Sequence, residues 1–403
     1  MIAVIRPHRL QGSVDVPASK SYAHRMLIAA ALSDRPTDIA CNALNADISA
    51  TIDCLRALGA HIDLSDGSIR VGPVAKGRVE DAYLDCNESG STLRFMLPVA
   101  AALGRPCRFD GRGRLPERPN DVLTDAMQDH GMELDRSLLP IAMRGKLRGG
   151  RYALRGDVSS QYITGLLFAL PLCAEDSAIE LTTPLESSAY VDMTTDTLDA
   201  FGIRVSGTEG GWRIPGLQRY MSPGSIAVEG DWSSAAFWLA ANALGHRIDV
   251  RGLNADSRQG DRAISRLLRH LGGTIDLRET PDLAPILAVA ASLHGGTTRF
   301  TGGARLRLKE SDRLKATADL IAALGGRCDE GPDGLTVYGV EQLKGGAVQG
   351  QNDHRIVMAA AIAATRAAGE VVITDAQAVS KSYPGFFDDY RRLGGDIRVE
   401  QDR

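Results

Sequence analysis

Two hydrophobic patterns alternate along the chain. The first is a polar opening followed by a run of small and apolar residues. It occurs as SKSYAHRMLIAAAL from Ser19, ESGSTLRFMLPVAAAL from Glu88 and SSQYITGLLFALPL from Ser159. It returns as DWSSAAFWLAANAL from Asp231, PDLAPILAVAASL from Pro281 and NDHRIVMAAAIAA from Asn352. Alanine-rich apolar runs of this kind predict helices packed on most sides, each opened by capping residues. The second pattern is a short phrase: RALGAHIDL, QDHGMEL, DAFGIRV, RHLGGTIDL, AALGGRCDE and RRLGGDIRV. Each reads as a helix end, a glycine just past it, then a strand. The glycines are Gly59, Gly131, Gly202, Gly272, Gly325 and Gly394, spaced 72, 71, 70, 53 and 69 residues apart.

The two patterns interleave into six units, each with a buried helix, a surface helix and intervening strands. Units near 70 residues are longer than common solenoid repeats, which argues against a stacked array. A further symmetry relates the halves: GSVDVPASKS from Gly12 and GSIAVEGDWS from Gly224 share a strand pattern at an offset of 212. The expected fold is therefore α/β (α+β), with two similar domains of three βαβαββ units each. Residues 20–230 would form one domain and residues 1–19 with 231–403 the other. The chain would cross near Ser19–Lys20 and near Glu229–Asp231, and two neighbouring crossings make a two-stranded hinge.

A length of 403 residues agrees with two domains. The net charge of −4 gives no global basic field for nucleic acid or a membrane surface, so any cationic focus is local. The six cysteines are scattered with no C-x-x-C pair, and the opening MIAVIRPHRLQGSVDV has no secretory pattern. Reduced thiols and a cytoplasmic location are expected. The apolar stretch YITGLLFALPLCA is too short for a bilayer and fits a core helix. No metal-ligand spacing stands out, and neither a metal nor a cofactor is expected.

Candidate chemistry gathers at the helix openings. A helix N-terminus already carries partial positive charge, yet Lys20, His24 and Arg25 crowd the first of them. Arg94 and Arg355 lie beside two others. Ser21 and Arg25 are four apart and share a face, and Gly90 leaves backbone open to a ligand. Singly, each reads as an ordinary cap or salt bridge; their recurrence predicts an anion site. Arg112, Arg114 and Arg118 fall in the loop GRGRLPERPND, which alone reads as solvated surface. Glu310, between Lys309 and Arg313, is either an exposed i,i+3 partner or a carboxylate tuned for proton transfer. Asp282, Asp231, Asp353 and Asn352 have cap readings as well. There is no P-loop, dinucleotide fingerprint or nucleophile elbow. The residues alone therefore predict a two-domain protein that binds a multiply anionic small molecule.

The motifs SKSYAHR, ESGSTLR, LPERPN, DVSSQYITGLL, KESDR, NDHR and KSYPGFF, in this order along essentially the whole chain, resemble the 5-enolpyruvylshikimate-3-phosphate (EPSP) synthase family. The resemblance implies transfer of enolpyruvyl from phosphoenolpyruvate to the 5-hydroxyl of shikimate 3-phosphate. By motif position, Lys20, Ser21, Arg25, Ser159, Ser160, Gln161, Ser187, Tyr190, Asp282 and Lys309 would contact shikimate 3-phosphate. Lys20, Gly90, Arg118, Gln161, Arg313, Arg355 and Lys381 would contact phosphoenolpyruvate. The resemblance makes Asp282 the base at the 5-hydroxyl and Glu310 the proton-transfer group at the methylene, with Lys20 sharing that work. The two small molecules would be the partners, and the chain would act as a monomer.

Glu88-Ser89-Gly90-Ser91 departs from the Asn-Ala-Gly-Thr or Asn-Ser-Gly-Thr of most members, and Arg305 replaces an Asn that some place against shikimate 3-phosphate. The rival within the fold is the sister enzyme that acts on UDP-N-acetylglucosamine, whose loop Cys is missing from GRGRLPERPND. The rival outside it is a non-catalytic anion-binding module, which would need no acid–base pair.

Overall fold

The structure, a computed structural model, describes residues 1–75 and 81–401. The twelve α-helices among the described residues are α1 (Lys20–Leu32), α2 (Ala46–Ala57), α3 (Gly90–Ala102), α4 (Asp121–Gln128), α5 (Ser160–Ala169), α6 (Ser188–Ala200), α7 (Trp232–Ala243), α8 (Ile264–Leu267), α9 (Ala284–Ser292), α10 (Arg313–Ala323), α11 (His354–Ala364) and α12 (Phe386–Arg392). The chain forms two compact units, Ala18–Val228 and Met1–Pro17 with Glu229–Arg403. We call these the first and second units.

One sheet pattern recurs. In the first unit Ala82–Asp85 and Cys107–Asp110 pair in parallel across α3, and Ile141–Gly145 then Met132–Leu134 add antiparallel. Parallel neighbours need a crossover, and the apolar helix between them supplies it. Arg151–Leu154, Ser177–Leu181, Gly211–Ile214 and Ser206–Thr208 repeat the pattern across α5. In the remaining sheet of this unit, Thr37–Ala40, Ser68–Val71 and Ile62–Ser65 are led by a remote strand, Ser225–Ala227, in parallel register from Ser225↔Asp38 to Ala227↔Ala40. The second unit has two such four-stranded sheets, led by Thr274–Asp276 and Gly346–Val348.

The fourth repeat departs from the expected βαβαββ form. It keeps only the parallel pair Gln11–Asp15 and Arg247–Arg251 around α7, and the strand after Gly272 leads the next sheet instead. A missing hairpin accounts for the spacing of 53 where about 70 recurs elsewhere. The two look-alike segments also exchange roles: the strand before α1 pairs within the second unit, and the strand before α7 within the first.

All six phrase glycines are left-handed, with φ from 73° to 94°. A side chain there would carry the steric cost that ends most helices on glycine. The buried helices match the apolar pattern: every residue of α9 and α11 is buried. Alanine lets such helices approach closely, and α3 and α5 show how far this goes. Pro98 has no N–H to give the Arg94 carbonyl, and Gly165 of α5 closes on that oxygen. A Cβ at Gly165 would collide with the Arg94 oxygen and sit 2.8 Å from Pro98 Cγ. Among the described residues no helix is long and apolar enough to cross a membrane.

Candidate active site

In the first unit, hydrogen bonds join the N-terminal ends of α1, α2, α3, α5 and α6. Lys20, on the first turn of α1, donates to Asp47 Oδ2 of α2 at 2.7 Å. Arg25 is buried and committed to holding α6. Its Nε donates to Thr194 Oγ1 at 2.9 Å, Nη2 to the Tyr190 carbonyl at 2.8 Å and Nη1 to the Ser21 carbonyl at 2.7 Å. Burial pulls its pKa down to about 10, so it remains a cation at neutral pH. Ser187, just before α6, is buried with φ 58°, a strained conformation for a residue with a side chain.

Gln161 is held from both ends. Its Oε1 accepts from Arg94 Nη1 at 2.6 Å, and its Nε2 donates to Ser91 Oγ of α3 at 2.9 Å. Arg94 also donates to Asn120 Oδ1 at 3.1 Å and to the Pro119 carbonyl at 3.0 Å. Ser159 caps α5 by accepting from Gln161 N, and Ser160 is buried beside it.

Of the three loop arginines, Arg112 pairs with Asp85 at 2.6 Å and Arg114 with Glu117 at 3.5 Å, both exposed. Arg118 differs: it is buried and lies flat against Gly90, the first residue of α3. A Cβ on Gly90 would be 2.7 Å from Arg118 Nη1 and 2.9 Å from Cζ. Arg118 Nε has no hydrogen-bond partner among the described residues. A buried guanidinium stacked on a helix N-terminus puts two positive sources together, which only an anion balances. Glu88 leans over the same loop, its carboxylate against Gly113.

In the second unit the N-termini of α7, α9, α10 and α11 carry the charged groups. Arg313, the first residue of α10, is buried and donates from all three nitrogens. Nη1 reaches Asp282 Oδ1 at 2.8 Å, Nη2 reaches Glu310 Oε2 at 2.5 Å, and Nε reaches Asp353 Oδ2 at 2.8 Å. Arg355 Nη2 donates to Asp282 Oδ2 at 3.0 Å, and Lys309 Nζ lies 3.9 Å from Asp282 Oδ1. Burial alone would raise the Asp282 pKa, but Arg355, Lys309 and Arg313 outweigh it and hold this carboxyl well below the usual range. Asp282 does not cap its helix, contrary to the simple reading of TPDLAP. The Glu310–Arg313 pair is likewise no exposed surface pair.

Asp353 caps α11 through Arg355 N and accepts from Ser311 Oγ at 2.9 Å. Lys381 Nζ donates to the Asn352 carbonyl at 2.6 Å. Asp231 caps α7, and Ser233 donates to Asp261, whose pKa burial and the charge of Asp282 push up to about 6. Sequence reasoning missed Asp47 and Asp261 and did not give Arg94 its anchoring role. Four non-glycine residues with positive φ, Asn87, Ser187, Gln351 and Asn352, stand within three residues of the starts of α3, α6 and α11. Ser187 and Asn352 had been singled out on other grounds, but no sequence pattern had marked the backbone conformation of any of the four.

The sequence model of one protein family, EPSP synthase (3-phosphoshikimate 1-carboxyvinyltransferase), matches residues 4–277 and 272–390. The chain belongs to the EPSP synthase family. It is 43% identical to the 3-phosphoshikimate 1-carboxyvinyltransferase of Clostridium kluyveri and 42% identical to that of Clostridium acetobutylicum, each match covering 98% of this chain and 97% of the relative. The EPSP synthase structure from Acinetobacter baumannii superposes with a TM-score of 0.83 at 24% identity, covering 99% of this chain and all of that one. The enolpyruvyl transferase NikO from Streptomyces tendae does so at 0.79 with 19% identity, covering 98% of each. Both carry the same fold. The EPSP synthase resemblance read from the motifs therefore holds, and the chain is an enzyme of that family. The sugar-nucleotide transferase and the non-catalytic module are not favoured.

Proposed function

We propose that the two clusters are the working groups with which this enzyme transfers enolpyruvyl from phosphoenolpyruvate to the 5-hydroxyl of shikimate 3-phosphate. The observation that carries the reading is Arg118, a buried guanidinium laid on Gly90 at a helix start, whose Nε has no hydrogen-bond partner among the described residues. In the second unit Arg313, Arg355 and Lys381 add further cations for a carboxylate and a phosphate. Guanidinium forks bind both kinds of oxyanion through two parallel hydrogen bonds. Lys20, Ser21, Arg25, Ser159, Ser160, Ser187, Tyr190 and Lys309 are assigned to shikimate 3-phosphate, and Gln161 to both substrates.

The reaction is an addition followed by an elimination. The 5-hydroxyl oxygen bonds to C2 of phosphoenolpyruvate while its proton leaves to Asp282 and C3 gains a proton from Glu310. C3 then returns its proton to Glu310, the C2–O bond to phosphate breaks, and phosphate departs with the proton that Asp282 took. Lys20 shares the proton work. Held by Arg313 and Arg355, Asp282 is a poor base. A substrate carboxylate or phosphate that takes over those guanidinium groups would release it, so binding itself prepares the base. The assigned residues come from both units.

The test is phosphate release from phosphoenolpyruvate with shikimate 3-phosphate or UDP-N-acetylglucosamine as acceptor. Release with shikimate 3-phosphate alone is expected; release with the sugar nucleotide alone would overturn the acceptor. Asp282→Asn and Glu310→Gln should each lose turnover at least a hundredfold, the scale of positioned proton transfer, while still binding shikimate 3-phosphate. Wild-type turnover in both variants would refute the assigned roles.

A further inference from the structure

His24 stands between Lys20 and Arg25 on α1, buried, and the roles assigned above do not use it. Lys20 and His24 are four apart on α1, as Asp47 and Thr51 are on α2, so two rungs cross between these helices. The first is Lys20–Asp47. The second is His24 Nδ1 to Thr51 Oγ1 at 2.7 Å. This second rung continues: Thr51 Oγ1 meets Thr92 Oγ1 of α3 at 2.7 Å, and Thr92 Oγ1 donates to Ser89 Oγ at 2.8 Å. Ser89 is the N-cap of α3 and also accepts from Thr92 N at 3.2 Å. The next residue is Gly90, against which Arg118 lies.

Counting protons gives the chain a direction. The one hydroxyl hydrogen of Thr92 points to Ser89 Oγ at 2.8 Å, with the Asp47 carbonyl a longer acceptor at 3.4 Å; either use spends it, so Thr51 donates to Thr92 and His24 Nδ1–H to Thr51. Burial, then the charges of Lys20 and Arg25, hold His24 neutral. Its Nε2 is then a bare lone pair, buried and without a hydrogen-bond partner among the described residues. An orphaned polar atom costs stability, and a leucine of similar size would avoid that cost. Packing alone does not explain the histidine; the hydrogen-bonded chain does.

We propose that His24 is a positioning residue. Through Thr51 and Thr92 it sets Ser89 and thereby the N-terminus of α3, where Gly90 and Arg118 receive phosphoenolpyruvate. The inference rests on the function proposed above for Gly90 and Arg118.

The test compares His24→Leu, His24→Asn and wild type in steady-state turnover of phosphoenolpyruvate with shikimate 3-phosphate, alongside Tm. His24→Leu should raise KM for phosphoenolpyruvate roughly fivefold, the worth of one net hydrogen bond, with KM for shikimate 3-phosphate unchanged and Tm no lower. His24→Asn places an amide N–H on the same bond path as Nδ1 and should return KM to near the wild-type value. If His24→Leu does not fold, Thr51→Val breaks the same chain at its middle and carries the same expectation. Wild-type kinetics in His24→Leu, a joint rise in both KM values with a fall in Tm, or no rescue by asparagine would each overturn the proposal. Wild-type enzyme that fails to turn over these substrates would overturn the proposed function and this inference with it. Active wild type with an indifferent His24→Leu would overturn the inference alone.

Discussion

Asp261 offers a sharp test of the electrostatics in the second unit. It is buried, accepts from Ser233, and feels the charge of Asp282; burial first and that charge next push its pKa up to about 6. An unfolded aspartate titrates near 3.9. Between these values the folded state binds more protons than the unfolded state, so stability falls as pH rises through this window and levels off above about 6. The gap of roughly two pKa units converts to about 3 kcal/mol of stability lost by pH 7.5. Asp261→Asn has the same shape, still accepts from Ser233 and cannot ionise. It should match wild type near pH 4 and exceed it progressively, by as much as about 3 kcal/mol at pH 7.5. The assay is urea unfolding at half-unit pH steps, followed by fluorescence of Trp232 and Trp238 in a Trp212→Phe background, so that the signal comes from the second unit. A stability difference that does not change with pH, or one that grows toward low pH, would refute the reasoning.

Two other perturbations follow from single contacts. Asp353→Ala removes a fully buried carboxylate from Arg313 and the cap from α11. Because Arg313 keeps Asp282 and Glu310, the loss should sit near the low end of the buried-pair range, about 3 kcal/mol, read from urea midpoints. Asp353→Asn, which still caps, should lose less. Gly90→Ala drives a methyl into the Arg118 guanidinium at 2.7 Å, and since the guanidinium is the end of a flexible side chain, it is the part that moves. Its KM for phosphoenolpyruvate should rise about tenfold or more in steady-state assays with Tm nearly unchanged, because the displaced contact belongs to the ligand and not to the core. Equal affinity would show that Arg118 does not serve phosphoenolpyruvate.

The fold was legible where one residue type answers one geometric demand. A glycine past a helix end must be left-handed, and all six predicted ones are. The spacing of 53 already held the missing hairpin, but an interval alone does not say which strands have gone. Nor does a strand pattern name its partner. GSVDV and GSIAV looked equivalent and are, yet each pairs with a strand remote from the helix that follows it. Charged positions at helix starts were visible as types. Their pairing was not, since Asp282 meets Arg313 and Arg355 from 31 and 73 residues away. Asp47 and the anchoring role of Arg94 escaped for the same reason: a carboxylate in a first helical turn and an arginine beside a helix start look like a dipole partner and an anion ligand until the fold sets them beside Lys20 and Gln161.

The carboxylates in the second cluster give the site a resting state. Arg313 is almost fully buried, and a buried guanidinium without a counterion costs several kcal/mol, so it cannot wait unpaired for a substrate. Asp282, Glu310 and Asp353 occupy it instead. Asp353 is itself buried, and it caps α11, so it is bound to stay. Asp282 and Glu310 retain some exposure and are the two that an incoming anion can displace. These are the same two carboxylates assigned to proton transfer. An exchange of substrate oxyanion for enzyme carboxylate keeps the arginine paired throughout, and it turns the groups that stabilised the empty site into the groups free to move protons. Among the described residues no carboxylate pairs with Arg118, and its buried Nε has no hydrogen-bond partner, so part of its desolvation cost is already present before binding. On this argument a ligand gains more per contact at Arg118 than at Arg313, and charge-preserving substitution at Arg118 should cost more affinity for phosphoenolpyruvate than the same change at Arg355.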